Sequence, residues 1–202
     1  MNLFMVMLIV PGVVSIRAAA PAEDTVTVRT YNYASVPIEQ LRLAKSEATQ
    51  IFKRSRISID WADCRVPGSV SGSACTDPLL VRRDLMLRLI DRPPNGDRFV
   101  ALGESMLDHR ERGGVLMTID MGTVCAIADR AGTPMPTLLG RAIAHEIGHL
   151  LLGSGEHPRM GLMRARWSND ELRGLKPAHW GFSTRESAQM RQTLREMSRT
   201  TD

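Results

Sequence analysis

The stretch Thr137–Leu152, TLLGRAIAHEIGHLLL, constrains the rest of the chain more than any other. Leu138, Leu139, Ile143, Ile147, Leu150 and Leu151 recur at helical spacing and give a helix apolar faces to bury. The same helix carries His145, Glu146 and His149, so any site built there stands on a rigid core element. Residues four apart share a helical face, and His145 and His149 can therefore reach one ion. Neutral imidazole is a good ligand for Zn²⁺. Glu146, beside the first ligand, can take a proton from a water that such an ion polarises.

A catalytic zinc site takes three protein ligands. Three of the chain's five histidines fall between 145 and 157. Gly153 follows His149 at a point where a helix could break, and a break there turns the chain back toward the ion with His157 as third ligand. Two alternatives stay open. Glu156 adjoins His157, and Asp170 or Glu171 lies 21 or 22 residues beyond His149, near the interval at which gluzincin proteases place a ligating glutamate. Glu171 has another use, as partner of Ser168 in a helix capping box. His109 reads as a solvated loop residue and His179 as a packed one beside Trp180.

The segment Ala144–Met163, AHEIGHLLLGSGEHPRMGLM, resembles the metzincin metalloproteases, the matrixin-like branch in particular. Their motif is H-E-x-x-H-x-x-G-x-x-H, followed by a methionine-containing turn beneath the metal. His145, Glu146 and His149 match it residue for residue, and Gly161-Leu162-Met163 is similar to the methionine turn. The spacing departs: Gly153 falls one position later than the family's glycine and His157 two later than its third histidine. The resemblance implies a zinc-dependent endopeptidase with Glu146 as general base, His145, His149 and His157 as metal ligands, and Gly153 and Met163 as structural supports. It also implies an edge strand above the active helix that pairs with extended substrate, here within Phe99–Asp108.

Along the chain, Thr25–Tyr33, Arg56–Trp61, Asp84–Ile90, Phe99–Leu107 and Val115–Asp120 read as strands. Helices are expected after Ser35 as cap, with Pro37 early in the first turn and Ile38, Leu41, Ala44, Ala48, Ile51 and Phe52 at helical spacing, over Thr123–Arg130, over Thr137–Leu152 and over Thr184–Ser198, with capping boxes at Ser168/Glu171 and Ser183/Glu186. This order predicts an α+β or α/β domain: a mixed twisted sheet, an active-site helix and a small helical C-terminal subdomain. The expected division is a signal peptide at 1–22 and one domain at 23–202, split near 153 into upper and lower subdomains.

Leu3–Ile16 is nearly all apolar but, at about 14 residues, short of the roughly 20 that span a membrane. The small residues Ala18–Ala22 follow, and cleavage after Ala22 would leave Glu23 first. The expected location is therefore secreted or periplasmic, with no membrane insertion after cleavage. Export agrees with the cysteines: Cys64 and Cys75 bracket a Gly- and Ser-rich loop and are expected to pair, while Cys125 reads as a small buried apolar residue. The net charge of +4 is scattered among arginines without a dense basic stripe, and aromatics make up 4%, which argues against nucleic acid as a partner. There is no Asp-rich loop of the EF-hand kind. The partner expected is a peptide or protein substrate, and the state a monomer. A zinc-binding module without turnover, and a zinc-assisted hydrolase of some other acyl bond, are the competing readings.

Overall fold

The computed structural model describes residues 24–65, 75, 84–92, 101–108, 113–174 and 180–199. Among the described residues five strands form one sheet in the order β2-β1-β3-β5-β4, where β1 is Asp24–Asn32, β2 Ile57–Arg65, β3 Asp84–Ile90, β4 Gly103–Asp108 and β5 Gly113–Asp120. β1 pairs in parallel with β2 and β3, and β3 in parallel with β5. β4 alone runs antiparallel, with Ser105 opposite Met117 and Gly103 opposite Ile119, and it forms an edge of the sheet. The mixed sheet and the helices around it agree with the α+β expectation.

The strands form where apolar residues alternate. Val26 and Val28, then Leu85, Leu87 and Leu89, then Met117 and Ile119 are buried at every second position. Burying each such side chain contributes about 1.5–3 kcal/mol, which fixes which face of each strand meets the helices. Against that face pack α1 (Ile38–Arg54), through Leu41, Ala44, Ala48, Ile51 and Phe52, and α3 (Met135–Leu152). Between β5 and α3 lies α2 (Met121–Ala131), whose first turn is capped by the Asp120 carboxylate accepting from Gly122 and Thr123 N–H. Every residue of α3 from Leu138 to Leu151 is buried, so this helix is the centre of the molecule, as its composition demands.

The tail carries α4 (Asn169–Arg173) and α5 (Thr184–Arg199). Both expected capping boxes are present: Ser168 with Glu171, and Ser183 with Glu186. Arg141, buried on α3 one turn before His145, ties the tail to the core. It donates to the Leu172 carbonyl at 3.2 Å, pairs with Glu47 of α1 and stacks 3.8 Å from the centre of the Trp180 ring. Cys64 and Cys75 form the expected disulfide.

Two expectations fail. Ser35 does not cap α1; it sits in the left-handed region at φ 54°, and Pro37 takes the cap position without a side-chain bond. The turn is closed by Asn32 instead, whose Oδ1 accepts from Val36 N and whose Nδ2 donates to Val36 O. Cys125 is exposed, not buried. Val124, Ala128 and Ala131 make the inner face of α2, and one residue further along a helix turns about 100° away from it. Desolvation, with Asp129 and Asp91 nearby, pushes its thiol above the usual range. The segment 1–23, holding the expected signal peptide, lies outside the described residues, as do Phe99, His109 and His179. No helix among the described residues is long and apolar enough to cross a membrane.

Candidate metal centre

Helix α3 presents His145 and His149 on one face, and both are buried. Their Nε2 atoms lie 2.9 Å apart. Gly153 then ends the helix in the left-handed region, at φ 62°, a conformation that costs glycine nothing. The chain turns, and exposed His157 returns with its Nε2 3.2 Å from that of His149. The ligand atoms of the three histidines all lie within 4.8 Å of one another. Four-coordinate Zn²⁺ at a Zn–N distance of about 2.0–2.1 Å sets its ligand nitrogens roughly 3.3 Å apart, so the spacing suits that ion.

The ring protons point to the same ion. His145 Nδ1 lies 2.9 Å from the Leu162 carbonyl, and His149 Nδ1 lies 2.7 Å from the Ser154 carbonyl. A carbonyl can only accept, so each Nδ1 carries the hydrogen. Each neutral ring then has a bare lone pair on Nε2. Two lone pairs facing each other at 2.9 Å repel unless a cation lies between them. Protonation is no ready remedy, because burial holds His145 down at about 4 and lowers His149 as well. The donor set therefore fits a divalent cation of the Zn²⁺ type, with backbone carbonyls orienting two of the three ligands.

The carbonyl that partners His145 comes from the Gly161-Leu162-Met163 turn. Gly161 adopts φ 85°, and the Leu162 carbonyl accepts from His145 and, at 3.3 Å, from the Trp167 indole. Met163 is buried beneath α3, against Gly148. The Trp167 ring meets His145 edge-on, with centroids 5.7 Å apart.

Among the described residues no carboxylate joins the three histidines. Glu171 is committed to Ser168 and to Arg164 at 2.5 Å, Asp170 is almost wholly exposed, and Glu156 is exposed with its backbone N–H bound to Ser154 Oγ. Ser168 N–H, then the Arg164 guanidinium and the Ser168 hydroxyl, hold the Glu171 carboxyl down at about 2 despite some desolvation. The acidic alternatives for a third ligand therefore give way to His157.

Glu146 is buried beside the histidines, and burial raises its carboxyl to about 7 against the lowering effect of the Ser105 hydroxyl. Ser105 Oγ on β4 donates to Glu146 Oε2 at 2.6 Å. Sequence reasoning missed Ser105. Strand alternation places it on the inner face of β4 with Gly103 and Leu107, but nothing in the sequence says which inner residue meets the base. A cleft of about 480 Å³ opens over the group, with Leu102, Ser105, Glu146, Ile127, Trp167 and Leu172 among its walls.

The sequence matches no protein-family model and no curated protein. Solved structures do share the fold. Archaemetzincin from Methanopyrus kandleri superposes with a TM-score of 0.52 at 14% identity, over 88% of this chain and 99% of that one. A zinc-dependent peptidase from Methanocorpusculum labreanum gives a TM-score of 0.50 at 13% identity, over 81% and 99%. At such identity the likeness establishes the architecture alone.

Proposed function

We propose that this chain is a zinc-dependent endopeptidase, exported after removal of residues 1–22 and acting as a monomer on peptide or protein substrates. One observation carries the proposal: two buried imidazoles, with tautomers set by backbone carbonyls, aim bare nitrogens at one point, with a third imidazole and a glutamate beside them. A structural zinc site fills its fourth position with protein, whereas a catalytic one keeps that position open. Here no fourth ligand stands among the described residues, and a cleft opens over the group. The fold's likeness to a zinc-dependent peptidase supports the same reading.

His145, His149 and His157 would hold Zn²⁺, and the chemistry this ion supplies is Lewis acidity toward water and a carbonyl. The remaining work falls to the chain's own residues. Glu146 lies next to the first ligand, in a buried site where its carboxyl titrates near neutrality. It takes a proton from the attacking water and gives it to the leaving amine, one carboxylate serving in both directions. Among the described residues β4 pairs only with β5, and its other side would take an extended peptide. The apolar wall of Leu102, Ile127, Trp167 and Leu172 keeps water from a seated side chain. The Cys64–Cys75 disulfide is what an oxidising compartment would permit, in line with export.

The test is hydrolysis of a mixed peptide library by residues 23–202 loaded with zinc, alongside Glu146→Ala and a chelated sample. Internal cleavage by the native chain alone is the expected result. Zinc bound without cleavage of any peptide would point to a binding module or a different acyl substrate.

A further inference from the structure

The base of this site is gripped from the edge strand. Side chains alternate along β4, so Gly103 and Ser105 face α3 together. A Cβ at 103 would stand 3.0 Å from both Cγ and Oε1 of Glu146, so the bare glycine lets the strand lie directly against the carboxylate. Two residues on, the Ser105 hydroxyl lies 2.6 Å from Glu146 Oε2 and 3.0 Å from the Glu146 carbonyl oxygen. A hydroxyl has one proton to give, and 2.6 Å is the separation of an O–H···O⁻ bond, so the carboxylate takes it. No donor among the described residues meets Oε1.

We infer that Ser105 is a positioning residue for Glu146: the edge strand holds Oε2 through the Ser105 hydroxyl and leaves Oε1 to exchange the proton. The inference rests on the peptidase reading above. Ser105 acts through Glu146 and is not itself a catalytic group. A buried glutamate has three side-chain torsions, and a general base works only when its oxygen is within reach of the proton. The methionine turn and the backbone carbonyls orient the histidines, while Ser105 does the equivalent for the base from the opposite wall. The strand that would set the substrate's register thus also sets the base's orientation.

The experiment compares zinc-loaded wild type, Ser105→Ala and Ser105→Thr. It measures kcat and KM on a peptide taken from the library, zinc affinity, thermal stability, and the crystal structure of each zinc-loaded form. Loss of the hydroxyl should lower kcat about tenfold, with KM and zinc affinity held to about twofold. The Glu146 carboxylate should then occupy more than one orientation, and threonine should restore both rate and order. Ser105→Ala with wild-type kcat, or with the carboxylate unmoved, overturns the inference. So does a fall in zinc affinity or stability that parallels the fall in rate, since that marks a structural role. If the wild type cleaves nothing, the peptidase reading falls, and the carboxylate's orientation in the crystal structures still decides the role of Ser105.

Discussion

Gly148 and Met163 meet at one point beneath the histidine-bearing helix. A methyl group at 148 would stand 2.6 Å from Met163 Sδ and 2.8 Å from the Phe182 ring. Gly148→Ala should therefore push the methionine turn away from α3. Overpacking of this kind costs about 1–3 kcal/mol. Because the Leu162 carbonyl orients His145, zinc affinity should fall with stability. Denaturant unfolding and zinc titration of the variant check both. An unchanged midpoint would show that Met163 has room to give.

Removing the third imidazole separates metal binding from folding. His157 is exposed and outside the core, so His157→Ala should leave metal-free stability within about 0.5 kcal/mol of wild type. Zinc affinity should drop by a factor of about 100 or more. At free zinc 100 times the dissociation constant, the wild type gains about 2.7 kcal/mol, and the variant should gain little at that concentration. Thermal melts with and without zinc measure the difference.

A buried guanidinium is one of several ties between the tail and the core. Arg141→Ala leaves the Leu172 carbonyl and the Trp180 face without their partner, and should cost about 2–4 kcal/mol. Desolvation lowers the pKa of this arginine, against the raising effect of Glu47. A methionine at 141 should recover part of the loss by filling the volume. Chemical denaturation of both variants tests this. Equal loss in both would place the worth of Arg141 in its polar bonds.

Acid should loosen α4 in a defined window. Glu171 is held at about 2 in the fold, below its ordinary 4.5. A depressed carboxyl contributes stability above 4.5 and loses it as the pH falls through 4.5 toward 2. Wild type should therefore lose thermal stability across that window more steeply than Glu171→Gln, whose side chain does not titrate. Parallel curves would mean that the capping box contributes nothing to global stability.

The metal site was legible in the sequence because its chemistry is local. His145, Glu146 and His149 sit on one helix whose apolar faces announce its burial, and Gly153 marks the turn that returns His157. Strand alternation and capping boxes were legible for the same reason, since each is decided within a few residues. What escaped were partners brought from afar. Ser105 lies 41 residues before Glu146 and meets it only because β4 folds beside α3. Cys125 departs from its expected burial because an apolar run says nothing about helical phase, and α2 turns that side chain to solvent. Ser35 had the chemistry of a cap, but Asn32 reached the turn's backbone first.

The residues between His149 and His157 carry a consequence of their own. Two ligands are fixed by the burial of a helix, and the third hangs on a connection that starts at Gly153 and never enters the hydrophobic interior. Beyond Ser154, whose carbonyl orients His149, its length is therefore slack that folding does not police. Residues can be added or removed there without disturbing the packing, provided the imidazole still reaches its partners. An engineer could tune how tightly the chain keeps its ion by splicing this stretch alone.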